Sequence, residues 1–121
     1  MKVTPIEPFS KDARGAVAEY YHDRTGLHLI VFSKAGSIRG RHYHKGISIS
    51  KNPEVIVLLS GTCTINWRET SHTDCQNETV TGPARIEIQP YIWHELVAVT
   101  DCSFLELNSL SEHVADTFYE N

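Results

Sequence analysis

Short apolar or alternating segments, separated by turn residues, follow one another along the chain and limit the folds it can adopt. Almost no stretch shows the 3.6-residue period of an amphipathic helix. Short strands between closely spaced turns are typical of all-β sandwiches and closed barrels. The sequence therefore predicts an all-β fold with strands at 27–33, 37–44, 55–59, 62–68, 84–88, 94–99 and 103–107, and a shorter strand at 16–21.

Residues that favour turns predict how these strands are connected. Ser60-Gly61 separates two strand segments and predicts a tight hairpin that pairs them. The segment 46–53 contains Gly, Ser and Pro, which favours a loop or an edge hairpin over a central strand. A polar loop is predicted at 69–77, and the mixed tail at 111–121 is predicted to form a short helix or a strap across a sheet edge.

Length and composition indicate one ordinary globular domain of 13.7 kDa, 40% hydrophobic and 21% charged. The first residues lack the apolar run of a signal peptide, and no segment approaches the ~18 apolar residues of a membrane span. We therefore expect a cytoplasmic protein without membrane contact. The net charge of −4 argues against general nucleic-acid binding. Three cysteines without metal-type spacing predict free thiols at Cys63, Cys75 and Cys102.

A His-x-His pair and a carboxylate suggest a metal site. His42 and His44 are separated by one residue, so in an extended strand both imidazoles face the same side. Glu54 precedes an apolar run, where a carboxylate is costly unless it has a partner. Two imidazoles and a carboxylate form a partial ligand set for a divalent ion. The alternative is an ordinary strand that carries polar residues.

Positive charge is concentrated between residues 24 and 53, where six cations occur without an acid. A concave site with this charge suits an anionic small molecule such as a diphosphate. A solvated basic loop is the alternative interpretation. The six residues are Arg24, Lys34, Arg39, Arg41, Lys45 and Lys51.

The same residues resemble the first motif of the cupins, which are double-stranded β-helix or jelly-roll barrels. That motif is a glycine, five residues, His-x-His, a gap, a glutamate, six residues and a glycine, and it is matched here by Gly36, His42, His44, Glu54 and Gly61. The gap before Glu54 is nine residues instead of three or four. The second cupin motif is matched more weakly, by Gly82, Pro90 and His94.

The cupin resemblance implies a single domain, 1–121, with a barrel core at about 28–107 and straps at both ends. It also implies a divalent metal ion, zinc, nickel or iron, in a four-ligand site. The implied ligands are His42, His44, Glu54 and His94.

A narrower resemblance is to sugar-nucleotide cupins. Asp-x-Arg-Gly at 12–15, the segment 36–44 and the ending at 107–119 resemble the C-terminal cupin domain of bifunctional capsular UDP-sugar epimerase/reductases. The segments 39–45 and 93–95 resemble dTDP-sugar 3,4-ketoisomerases, and the start of the first also resembles dTDP-4-dehydrorhamnose 3,5-epimerases. Glu54 stands where the ketoisomerases usually carry glutamine, which favours a metal.

This resemblance implies proton abstraction next to the carbonyl of a 4-keto hexose, in a small-molecule substrate that is a nucleotide sugar of surface-polysaccharide biosynthesis. A divalent ion or a cationic side chain stabilises the enediolate. Without a metal, the base is His42 or His44 and the proton donor Tyr43 or Tyr91; with a metal, the base comes from elsewhere, such as Glu95 or a tyrosine. Arg39, Arg41 and Lys45 are candidates to bind the diphosphate, and rim ion pairs are the alternative for the two arginines. Trp93 is a candidate to stack on the substrate, with packing at the barrel mouth as the alternative.

Two other functions remain open at this point. The same ligand set supports a metal-dependent cupin oxygenase when iron is bound, and a cupin can bind a sugar or metabolite without catalysis. By analogy with cupins we expect a homodimer. The remaining histidines are interpreted as ordinary surface or strand residues: His22, His28, His72 and His113.

Overall fold

A computed structural model describes residues 1–120 as two antiparallel β-sheets that enclose a common core, with a short helix near the C-terminus. The elements are β1 Lys2–Pro5, β2 Ser10–Asp12, β3 Gly15–Val17, β4 Leu29–Ser33, β5 Ile38–His42, β6 Glu54–Ser60, β7 Thr62–Glu69, β8 Gln76–Thr81, β9 Ala84–Ile88, β10 Ile92–Ala98, β11 Cys102–Glu106 and α1 Leu110–Ala115. The larger sheet has the order β1-β9-β6-β11-β4, the smaller β5-β10-β7-β8, and β2 and β3 form a separate ribbon.

The main core lies between the two sheets. Ile56, Ile86 and Phe104 of the larger sheet belong to one buried cluster with Ile65 and Leu96 of the smaller sheet. Alternate residues of each strand supply these side chains, as expected for sheets that bury one face. The predicted all-β jelly-roll barrel is confirmed.

The predicted hairpin at Ser60-Gly61 is wrong. The two strands that this turn joins lie in different sheets, since β6 pairs with β9 and β11 while β7 pairs with β8 and β10. Gly61 has a φ of 95°, and a Cβ there would overlap the carbonyl oxygen of Asp101. The turn therefore carries the chain from one sheet to the other at a crowded corner, which favours glycine.

Both faces of β6 are covered, which explains its continuous apolar run. Ile56 and Leu58 face the main core, whereas Val55 and Val57 form a second cluster on the outer face of the sheet. Partly buried side chains of the N-terminal segment, Ile6 and Tyr20, pack on that second cluster. The segment before β4 therefore packs on the outer face of the larger sheet.

Several strands differ from their predicted bounds. The predicted strand at 16–21 is only the three residues of β3, and β1, β2 and β8 were not predicted. The sequence of β8, QNETVT, carries one buried residue, Val80, and gives almost no apolar signal. The loop at 46–53 is confirmed, as is the end of β9 before Pro90.

The tail combines the two structures that the sequence left open. Ser109 caps α1, and the reciprocal hydrogen bond from the Ser109 amide to Glu112 completes a capping box. After the helix, Phe118 pairs with Tyr43 in an isolated antiparallel bridge. Residue 121, at the end of the predicted tail, lies outside the described residues.

Two predictions from composition can be compared with the structure over residues 1–120. In that range no helix is both long and apolar enough to cross a membrane. Cys63, Cys75 and Cys102 are free thiols, as predicted, with the first and last of them buried.

Candidate active site

Three strands bring the predicted ligands together at one end of the core. His42 ends β5, Glu54 begins β6, and His94 lies on β10 opposite His42 in the strand register. The ring centre of His42 lies 4.9 Å from that of His44 and 5.0 Å from that of His94. The structure therefore assembles all four residues of the predicted set.

Glu54 lies between two of these histidines. Its Oε2 atom is 2.9 Å from His44 Nε2, and its Oε1 atom is 3.2 Å from His94 Nε2. All three side chains are no more than 2% exposed. The nine-residue gap thus forms a loop that returns Glu54 to the histidines.

Backbone carbonyls determine which imidazole nitrogen faces Glu54. His44 Nδ1 is 2.6 Å from the Asp116 carbonyl oxygen, and His94 Nδ1 is 2.9 Å from that of Ile92. A carbonyl only accepts, so each Nδ1 donates, and in the neutral ring each Nε2 presents a lone pair to the carboxylate.

Lone pairs that face a carboxylate require a cation between or beside them. His44 Nε2 is buried and has no hydrogen-bond partner among the described residues. Imidazole Nε2 atoms, held by Nδ1–H bonds to carbonyls and aimed at a carboxylate, are the arrangement in which proteins bind divalent first-row metals. The residues present therefore fit the implied metal ion.

A buried lysine also reaches this cluster, and the sequence analysis assigned it no role beyond the basic segment. Lys51 is 0% exposed, and its Nζ contacts Glu54 Oε2. The same Nζ lies 3.0 Å from Nδ1 of His113, on α1. The interpretation of His113 as an ordinary surface or strand residue is therefore wrong. The sequence could not show this contact, because it forms only when the folded tail places α1 beside the loop.

Two anchors hold the loop at 46–53 against the barrel. Arg24 donates to the Ile49 carbonyl at 2.9 Å and to the Pro53 carbonyl at 2.7 Å. From the other side, the buried carboxylate of Asp116 accepts the backbone N–H groups of Lys45 at 2.8 Å and Ser48 at 3.1 Å. These bonds fix where the loop places its buried lysine.

Glu106 is a further carboxyl group near the cluster. It ends β11, faces the core side of the sheet, and lies 4.0 Å from His113 Nδ1 through its Oε2. Phe104 and Glu106 are two residues apart, so strand alternation places both side chains on the core face, and the predicted strand at 103–107 already carried this signal.

The surroundings of the histidines and carboxyl groups at this site shift their pKa values. Burial and the neighbouring histidines lower the pKa of His42 to about 3, and burial together with the Lys51 charge lowers the pKa of His113 to about 4. Burial opposes ionisation of Glu54, but its charged and polar neighbours, the Lys51 ammonium foremost, hold its pKa well below the ordinary value. At neutral pH His42 is therefore neutral and Glu54 ionised, the forms that bind a metal.

Burial raises the pKa of Glu106 above its ordinary value, and the negative charge of Glu54 raises it further. Two carboxyl groups in one small region thus differ in proton affinity. Such a difference is typical of sites that carry out acid–base chemistry.

A small cavity of about 20 Å³ lies at the cluster. That volume holds about one water molecule or ion. A sugar ring is far larger, so a sugar substrate would have to lie over the site rather than within the barrel. The cavity is lined by Arg39, Gly40, His42, Glu54, Ile56, His94, Leu96, Phe104 and Glu106.

The predicted diphosphate-binding residues do not converge in this structure. Arg39 donates to Ser33 Oγ at 2.5 Å and to the Phe32 carbonyl at 3.0 Å. Arg41 forms an ion pair with Glu95, and Lys45 lies 4.0 Å above the ring of Phe118.

Trp93, the predicted stacking residue, has a different cation beside it. The guanidinium carbon of Arg68 is 4.8 Å from the Trp93 ring centre. That face of the indole is therefore occupied by a side chain of the neighbouring strand.

The predicted proton donors lie outside the histidine cluster. Tyr43 stacks on Tyr91 with ring centres 6.0 Å apart, and Tyr91 is exposed. The carboxylate of Glu95 accepts from Arg41 and from Asn66, so it faces away from His94 along the strand. An exposed tyrosine that the sequence analysis did not select, Tyr119, is nearer, with its ring centre 6.2 Å from that of His42.

The family of the chain follows from its sequence profile. Residues 10–117 match the model of the polysaccharide biosynthesis C-terminal domain. The chain belongs to this family. A search of curated protein sequences found no match.

Solved structures of sugar-nucleotide enzymes share this fold. QdtA, a sugar 3,4-ketoisomerase from Thermoanaerobacterium thermosaccharolyticum crystallised with TDP, superposes with a TM-score of 0.72 and 17% identity over 98% of this chain and 87% of QdtA. The dTDP-4-dehydrorhamnose 3,5-epimerase of Sulfolobus tokodaii gives 0.60 and 16% over 86% of this chain and 74% of the epimerase.

The capsular polysaccharide assembling protein CapF of Staphylococcus aureus gives a TM-score of 0.61 and 19% identity. The match covers 95% of this chain but 34% of CapF, so this chain corresponds to about a third of that protein. This chain thus shares the fold of these three proteins, in agreement with the resemblance seen in the sequence.

Proposed function

We propose that this protein is a sugar-nucleotide isomerase or epimerase of surface-polysaccharide biosynthesis, which removes a proton next to the carbonyl of a 4-keto hexose with the help of a divalent metal ion. The observation that carries the proposal is the cluster of three histidines and Glu54 in a barrel with the fold of sugar-nucleotide enzymes. Membership in a polysaccharide biosynthesis family supports the proposed role in surface-polysaccharide biosynthesis.

His42, His44, Glu54 and His94 would hold the metal ion. When bound, a divalent ion next to the substrate carbonyl stabilises the negative charge of an enediolate. The backbone carbonyls of Asp116 and Ile92 keep two of the imidazoles oriented for this role. His42 is only partly buried, so the open side of the site, where the sugar would lie, is beside it.

Glu106 is our proposed base. The histidines are occupied when they act as ligands, and both Tyr43 and Glu95 have other partners away from the cavity. Glu106 lines the same cavity as His42 and His94 but is not part of the ligand set. A carboxyl group with a raised pKa is a better match to proton transfer near neutral pH than an ordinary carboxylate.

Solvent exchange tests this chemistry directly. TDP-4-keto-6-deoxyglucose, the compound seen in a crystal structure of a QdtA variant, and its UDP counterpart would be incubated with the metal-loaded protein in D₂O and followed by NMR. We expect deuterium next to the carbonyl, lost with His44→Ala and reduced by roughly 10²–10⁴-fold in Glu106→Gln. Glu78→Gln, on exposed positions of β8, is the control and should exchange like the wild type.

Metal analysis tests the ligand set separately. Zinc, nickel or iron should copurify or rebind at one ion per chain and be lost in His44→Ala but retained in His72→Ala, whose histidine is exposed. Absence of exchange with both nucleotide sugars, despite bound metal, would argue against the isomerase or epimerase assignment.

A further inference from the structure

The candidate metal site contains a positive charge of its own. Lys51 Nζ contacts Glu54 Oε2, while Glu54 Oε1 faces His94 Nε2 at 3.2 Å. Of the cationic side chains in residues 1–120, Lys51 is the one that contacts this carboxylate. The ammonium is therefore placed to balance the same charge that a divalent ion would balance.

Several contacts fix the position of the Lys51 side chain beside Glu54. It is fully buried, and its backbone pairs with Glu54 in an isolated bridge. Arg24 and Asp116 anchor the loop on either side of it. His113 Nδ1, 3.0 Å from Nζ, accepts a second hydrogen bond from the ammonium. A lysine so constrained and so buried is costly unless its charge is used.

We propose that Lys51 is an internal cation that competes with a divalent metal ion for Glu54 and thereby sets the metal affinity of the site. This inference rests on the metal-binding part of the proposed function. Lys51 acts through Glu54, so it is a positioning residue for the metal rather than a ligand.

Two opposite effects of Lys51 on metal binding can be compared. A hydrogen bond that orients a ligating carboxylate usually strengthens metal affinity by roughly 10–100-fold. An ammonium in contact with that carboxylate also repels a doubly charged ion a few ångströms away, and at such distances, in a buried region, this repulsion exceeds the gain from orientation. The net expectation is that Lys51 weakens metal binding.

The test compares metal affinities of variants that lack the charge. Lys51→Met removes the ammonium with nearly the same shape, and Lys51→Gln removes the charge but keeps a hydrogen-bond donor for Glu54. Lys11→Met makes the same change on the exposed ribbon strand β2 and is the control. The dissociation constants of Zn²⁺ and Ni²⁺ would be measured by competition with a chromophoric chelator after treatment with EDTA.

We expect both Lys51 variants to bind each ion at least ~10-fold more tightly than the wild type, with Lys11→Met unchanged. The rise in Tm on adding the ion should also be larger in the Lys51 variants, because the ion replaces the missing partner of Glu54. A purely structural role would lower the Tm of the metal-free variants without changing the dissociation constants. If Lys51→Met does not fold, Lys51→Gln decides the question.

The outcomes separate this inference from the proposed function. Equal or weaker metal binding by the Lys51 variants overturns the competition and leaves the metal site standing. Absence of metal binding by the wild type and by all variants overturns both. Tighter binding that also occurs in Lys11→Met would reflect net charge alone and overturns the assignment to Lys51.

Discussion

Replacing Gly61 with alanine should destabilise the protein strongly, because this glycine has both an unusual conformation and no room for a side chain. Its φ of 95° costs a non-glycine residue roughly 1–3 kcal/mol. The new Cβ would also overlap the Asp101 carbonyl and lie 2.8 Å from Cys102 Sγ and 2.9 Å from Cys102 Cα. Overpacking of this kind costs roughly 1–3 kcal/mol more. We expect a total loss of about 2–6 kcal/mol in the free energy of unfolding.

Gly36→Ala is a matched control for this prediction. Gly36 has a φ of 85°, similar to that of Gly61, but a Cβ there meets no atom within 4 Å. Its replacement should therefore cost only the conformational part, about 1–3 kcal/mol. Urea unfolding of the two metal-free variants, followed by circular dichroism, measures the difference. If Gly36→Ala is as destabilising as Gly61→Ala, the crowding at the corner between the sheets does not contribute as argued.

Two further predictions concern the site and its anchors. The folded-state pKa values of His42 and His113, about 3 and 4, lie below the ordinary value. As the pH falls, these histidines therefore bind protons in the unfolded chain before they do so in the folded protein, which favours unfolding. The metal-free protein should thus lose stability between pH 6.5 and 4, and a Tm that stays constant over this range in EDTA would contradict the assignment. Asp116→Asn should destabilise by about 2–4 kcal/mol in urea unfolding, since one of the two oxygens that accept the loop N–H groups becomes an NH₂ group, which cannot accept. Asp101→Asn, which alters one exposed bond to a backbone amide, is the control and should cost less than about 1 kcal/mol; equal losses would count against the anchoring role.

The clustering of the proposed metal ligands was predictable in part because most of their signals are local. His42 and His44 share a face through strand alternation, and Glu54 stands at the start of an apolar run where an unpartnered carboxylate would be costly. The structure confirms that these side chains and His94 meet. Whether they bind a metal stays a prediction.

The predicted substrate residues show where local reasoning stops. The position of a cationic residue near a motif does not indicate which group its side chain will contact. In the fold, Arg39, Arg41 and Lys45 each contact a different neighbour. Their roles with a bound substrate stay predictions, as does the homodimer.

By itself the sequence determined the fold class and most strand positions, because burial and alternation can be recognised from neighbouring residues. Together with the cupin resemblance, which added His94, it also selected the four residues of the proposed metal site. Only the tertiary structure decided which strands pair, and it placed β6 and β7 in different sheets although a single glycine separates them. It also brought Lys51, Glu106 and His113 to the site from a loop, a strand end and the C-terminal helix. Contacts between distant segments depend on how the whole chain packs, and they cannot be predicted from the pattern of neighbouring residues.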